Sequence, residues 1–275
     1  MNQDCGVVSE SPFVFWTWPD NSPVALVLDG VGITDLGKQI YLWADGAEVE
    51  AECLYASTQW EAIAEVSPWI VWLKGPDDPV LAAFLELGAP KEHGYLMIAG
   101  ADKPDVMHWI RAHLQVEKAP DYEELVRISH PALASSVIGE QLGKCPPSGV
   151  IRQLLIPDQI SQRWHRIEPS EWVIGDADHN RSSLIYSDEL AQAFDAFNMR
   201  QVSLEIWQSL DASVRIAIGG VSLKDAYPRL SLLLGKAREA GHESPRDMMR
   251  FLFSALSDEG VPVKQGDETA LYDQG

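Results

Sequence analysis

The chain has 275 residues, 46% hydrophobic and 23% charged, enough to bury one large core or two smaller ones. Its 41 acidic residues against 21 basic ones give a formal net charge of -20, and from Met1 to Trp60 the only basic residue is Lys38. That balance speaks against nucleic acid and anionic bilayers as partners, because both select clusters of Lys and Arg.

The N-terminus, "MNQDCGVVSESPF", is acidic and lacks a basic segment ahead of an apolar run, so it does not read as a secretory leader. No stretch reaches the roughly 20 apolar residues needed to span a bilayer. A cytoplasmic location without integral membrane contact is expected. Cys5, Cys53 and Cys145 are widely separated and form no C-x-x-C pair, which argues against a disulfide framework or a zinc knuckle.

Four apolar runs come first: "VALVLDG" (24–30), "ECLYAS" (52–57), "WIVWLK" (69–74) and "GYLMIAG" (94–100). Each reads as a strand covered on both faces. Helical patterns lie between them at 33–43, at 79–87 behind the turn "GPDD", and at 104–114, where Asp102 and Pro104 mark a start. Alternating strands and helices predict an α/β sheet layer over about residues 20–130. Within 69–74, alternation puts Trp69, Val71 and Leu73 on one face and Ile70, Trp72 and Lys74 on the other. Core packing accounts for both rings. Trp72 is also a candidate partner contact, since Trp concentrates at binding hot spots.

"VRISHPALAS" (126–135) raises the role of His130, which sits before Pro131 where an extended stretch turns helical. Catalytic base, metal ligand and helix cap are the alternatives. "GKCPPSG" (143–149) ends that helix, and the polar "EPSEWVIGDADHNRSS" (168–183) reads as a domain boundary. The expected organisation is an α/β class chain: a mixed strand-helix lobe over 1–180 and a helical lobe over 181–275. Ser187 caps the first helix of that lobe, with Asp188 and Glu189 in its first turn. Leu190, Phe194, Phe197, Val202, Ile206 and Leu210 keep helical spacing up to Gly219-Gly220. Two further helices are expected, at 222–240 and, behind Ser244-Pro245, at 244–257.

The chain contains no G-x-S-x-G elbow, no phosphate-binding P-loop and no G-x-G-x-x-G fingerprint; the glycines of "LDGVGITDLG" have the wrong spacing. No cofactor is expected. His108 and His113 lie five residues apart, about 140° apart around a helix, so a shared metal on one face is not expected. His113 reads instead as a helix-end histidine favoured by the helix dipole. Asp176, Asp178 and His179 in "GDADHN" form the densest polar cluster. It reads as a solvated loop, with a hydrolase-type site as the alternative.

The succession "ALVLDG", "ECLYAS", "SPWIVWL", "GYLMIAG", "WIRAHLQV" and "ELVRISHPALAS" resembles the adaptor-chaperone family of bacterial type VI secretion, over residues 24–142. A strand-turn segment reading Phe-Arg-Phe-Tyr-Asp-Pro-Arg is typical of that family. Here Arg127 takes the place of its first Arg, Ser129 that of Tyr, His130 that of Asp, Pro131 that of Pro and Ala132 that of the final Arg. His113-Leu114 matches a family His-Leu-Arg, with Gln115 replacing the Arg. The resemblance implies an adaptor that binds a secreted effector protein near its N-terminus and helps load it on the VgrG spike or a tip protein, with no covalent chemistry. It also implies a polar residue ahead of Pro at a strand-to-helix junction, so His130 is expected to cap that turn. Candidate partner contacts are Trp72, Arg127, His130, Phe194, Phe197 and Trp207.

Overall fold

A computed structural model describes residues 11–119, 122–138, 149–168 and 184–260. The chain is of the α/β class, with a mixed sheet-and-helix unit to Phe194 and a compact helical unit from Asp195. The division falls inside one helix.

In the first unit three of the four apolar runs form strands, β1 (Val24–Leu28), β3 (Trp69–Leu73) and β4 (Gly94–Ala99), whereas "ECLYAS" enters the sheet only through Glu52 and Cys53 of the partly exposed edge strand β2 (Glu50–Cys53) and turns from Leu54 on. Two more strands lie beyond residue 130, where no sheet was expected: β7 (Ile151–Asp158) and β8 (Arg163–Ile167). A small second sheet accounts for β5 (Gln115–Ala119), β6 (Tyr122–Leu125) and β9 (Leu184–Ile185). The main sheet has the order β2-β3-β1-β4-β7-β8, and every neighbouring pair is antiparallel. All of β1 and β4 is buried. Being central and covered on both faces, they read as continuous apolar runs even in an antiparallel sheet.

One face carries Val24, Leu26, Leu28, Val71, Leu73, Leu96 and Ile98 against α1 (Leu36–Trp43) and α2 (Pro79–Ala83). Leu36, Ile40, Trp43, Val80 and Leu81 supply the helical side of that core, and Trp16 and Trp164 join it. Asp78 starts α2 by accepting from the Val80 amide at 2.9 Å. Ala25, Val27, Ile70, Trp72, Tyr95 and Met97 alternate onto the opposite face and are also buried. On that side runs α3 (Lys103–Ala112): Lys103 lies 5.2 Å above the Trp72 ring and pairs with Glu50 of β2, as Arg111 does with Glu52. Asp102 caps α3 through the Asp105 amide at 3.0 Å. The two rings of β3 thus enter opposite layers, as alternation predicts.

Among the described residues nothing bonds the Tyr95 hydroxyl, which is fully buried. Burial pushes its pKa up, so it stays a protonated donor without a partner. Tyr95→Phe removes that desolvated group while keeping the ring, and should raise stability by about 1 kcal/mol. A loss of stability in urea unfolding would contradict this.

The helical unit packs the later part of α5 (Asp188–Ser209) with α6 (Ala212–Ile218), α7 (Leu223–Glu239) and α8 (Pro245–Asp258). Ser187 accepts from the Leu190 amide at 3.2 Å, and Ser222 and Ser244 cap α7 and α8 through the Asp225 and Asp247 amides. The single helix expected up to Gly219 is two. Asp211 breaks it by capping α6 through the Val214 amide at 2.9 Å. No helix among the described residues is long and apolar enough to cross a membrane.

Candidate functional site

β1 ends at Leu28, and the next residue, Asp29, is 1% exposed. A carboxylate this deep must be compensated. Arg127 approaches it sideways: Nε donates to Oδ1 and Oδ2 at 3.1 and 3.2 Å, and Nη2 also donates to Oδ2. Ser129 Oγ donates to Oδ1 at 2.9 Å and the Gly32 amide to Oδ2 at 3.1 Å. Burial alone would raise the Asp29 pKa; hydrogen bonds and charge from Arg127, then the Ser129 hydrogen bond, outweigh it and hold the carboxyl below its ordinary range. The effect reaches Tyr55, whose pKa is pushed up to about 12 by burial first and the Asp29 charge second.

The backbone closes the same corner. Asp29 N donates to the His93 carbonyl at 3.0 Å, and the His93 ring lies over Gly32, where a Cβ would come within 2.8 Å of Cδ2. A Cβ on Gly30 would meet the Ser67 carbonyl oxygen at 2.0 Å, so the turn after β1 is pressed against the 66–67 backbone. Ser67 Oγ is buried there, accepting from Tyr55 N at 3.0 Å and donating to the Pro68 carbonyl at 2.7 Å.

His130 is 5% exposed and is the N-cap of α4 (Pro131–Ser136); its Nδ1 accepts from the Ala132 amide at 3.3 Å. Of the three alternatives for His130, the cap is the one the structure builds. Accepting at Nδ1 leaves the proton on Nε2, which faces Glu92 Oε2 at 3.9 Å. Glu92 is itself 1% exposed, sits in the left-handed region at φ 55°, and accepts from the Gln159 amide at 2.7 Å. Two buried carboxylates therefore hold the strand-to-helix junction from either side. His130→Ala should cost about 1 kcal/mol through the lost cap alone, and His130→Asn should recover part of it, as read by thermal unfolding.

Arg127 and His130 thus come together, joined by Asp29 and Glu92, which sequence reasoning did not single out. Trp72 lies on the buried face under α3, 3% exposed. Phe194 and Phe197 are half-buried on α5, and Trp207 is buried with the Arg215 guanidinium 4.9 Å over its ring. Asp176, Asp178 and His179 lie outside the described residues.

His113 occupies the C-cap of α3, but not as a charged end group. It stacks on Trp109 at 4.1 Å, Nδ1 bonds the Trp109 carbonyl at 2.7 Å, and burial lowers its pKa to about 4. The neutral ring donates Nδ1–H to that carbonyl. Its depressed pKa means the unfolded chain takes up the proton first, so this contribution is present above about pH 6.5 and is lost as pH falls toward the folded value. His113→Gln should flatten the stability profile across that window; an unchanged slope would contradict it. Asp158, Ser161 and His165, at the β7–β8 turn, are residue types of a hydrolytic triad. Ser161 Oγ and Asp158 Oδ2 both meet the same Nε2, at 3.1 and 3.3 Å, so no relay passes through the ring. No group of three or more His, Cys, Asp or Glu side chains among the described residues is placed to hold a metal ion.

Neither the curated proteins nor the solved structures contain a match to this chain. The segment 26–139, which holds Asp29, Glu92, Arg127, Ser129 and His130 and so the whole clamp at the end of β1, matches the family model described as a domain of unknown function, DUF4123.

Proposed function

We propose that the protein is an adaptor-chaperone of type VI secretion, which binds a secreted effector and helps load it on the VgrG spike or a tip protein. The observation that carries the reading is the coincidence of two stretches: the 26–139 family match and the 24–142 run of motifs resembling such adaptors. The site's chemistry is compatible with it. Arg127, Ser129 and His130 direct polar atoms at Asp29, Glu92 and the α4 amide, which fixes the junction's shape. On this reading the protein works by differential binding in the cytoplasm, without covalent steps: tight enough to protect a cargo segment, weak enough to release it at assembly. Its acidic surface would steer basic cargo.

The genetic test is deletion of the gene in the strain that carries it. Adaptors of this kind are typically encoded beside their effector, and an effector encoded there should vanish from the secreted fraction while the spike is still secreted. Unchanged effector secretion would reject the adaptor role.

A further inference from the structure

Residues 13–15 are three consecutive apolar side chains turned to solvent: Phe13 is 36%, Val14 73% and Phe15 41% exposed. Such a run costs solubility unless it serves an interaction. It is not loose chain. Ser11 caps the short turn Pro12–Val14 by accepting from the Phe13 amide, the buried Pro12 carbonyl accepts from the Phe15 and Trp16 amides at 3.3 and 3.0 Å, and Phe13 stacks on Trp16 at 5.6 Å. Trp16 in turn is sunk in the core beneath α1 and α2. The ridge is therefore preorganised, and binding through it would lose little conformational entropy.

The same core layer bears further exposed apolar side chains, Tyr41 and Leu42 at the end of α1 and Leu87 after α2. Its exposed charges are mainly acidic: Asp20, Asp35, Asp45, Glu48 and Glu86 stand against Lys38 and Lys74, the latter paired to Glu48. An apolar anchor on an acidic layer complements a segment that is apolar at its centre and basic at its flanks.

We infer that the Phe13-Val14-Phe15 ridge is a docking surface for an apolar polypeptide segment flanked by Lys or Arg. This rests on the adaptor reading only in that a cargo segment would be the natural occupant. The test titrates the full chain with a short amphipathic Leu/Lys peptide and with a Leu/Glu counterpart, followed by calorimetry. Wild type should bind the Leu/Lys peptide and not the other. Val14→Asp should weaken binding about tenfold at an unchanged melting temperature, although it makes the protein more negative. Equal affinity in Val14→Asp would show attraction by charge alone and overturn the proposal, as would binding of the Leu/Glu peptide or of neither. A concentration-dependent mass that Val14→Asp abolishes would make a second copy of the chain the occupant and overturn it too. If deleting the gene stops effector secretion but Val14→Asp does not, the ridge fails and the adaptor reading stands. If deletion leaves secretion intact, the adaptor reading fails and the peptide result is unaffected.

Discussion

Arg127→Met is expected to destabilise the fold by about 3 kcal/mol at pH 7, because it leaves Asp29 buried and ionised without its main partner. The Arg127 side chain is 31% exposed and that of Asp29 1%, so water can replace part of the guanidinium's role at its outer edge only. The pH dependence separates this from simple loss of packing. In the wild type the folded pKa of Asp29 lies below its unfolded value, so its contribution is fully present above about pH 4 and disappears as pH falls through the folded pKa. Without Arg127, burial becomes the dominant influence and the folded pKa rises above the unfolded one. Stability then decreases as pH rises through that raised value, and the difference from wild type should be smaller at pH 5 than at pH 7. Urea unfolding at both values measures it, and taking the difference between the two proteins cancels the titration of His113, whose shift comes from burial and the Trp109 carbonyl and not from Arg127. A difference that is the same at both pH values would mean that Asp29 does not depend on Arg127.

Gly30→Ala is expected to cost about 3 kcal/mol or more, enough to threaten folding. The obstacle is the backbone of the 66–67 segment. The added Cβ would lie 2.0 Å from the Ser67 carbonyl oxygen and 2.8 Å from the Val66 carbonyl carbon, and neither can swing aside as a side chain would. Relief requires separating the β1 turn from the 66–67 segment, which would also disturb the Ser67 bonds to Tyr55 and Pro68. Gly46 provides the contrast in part: a Cβ there meets nothing within 4 Å, although its φ of 82° carries its own strain. Gly46→Asn, a residue that tolerates that backbone region, should fold normally. Thermal melts of the two variants compare them, and a Gly30→Ala midpoint close to wild type would refute the close-approach argument.

Local signals carried far in this sequence. The continuous apolar runs at β1, β3 and β4 are strands because they are buried on both faces, and Asp102, Ser187 and Ser244 cap the helices they precede. The expectation of a layer ending near residue 130 missed β7 and β8, since "IRQLLIPD" follows a double-proline break and its partner β4 lies about fifty residues earlier. Strand order and the antiparallel sense depend on such distant pairings and leave no local mark. The site divides the same way. The residues around Pro131 leave His130 open between base, ligand and cap; the family resemblance points to the cap, and that is what α4 uses. Arg127 was visible as a residue, but its partner lies 98 positions away. The cue to Asp29 was a charge at the end of a fully apolar run, which reads equally well as the first residue of a turn. Nothing local marks Glu92 as buried.

The most direct test of the adaptor account is the mass of the particle formed when the protein is co-expressed with the neighbouring effector, measured by light scattering on a size-exclusion column. The account predicts a stoichiometric complex and a higher yield of soluble effector than without the protein. An effector equally soluble alone, eluting apart from a protein of 30.5 kDa, would contradict it.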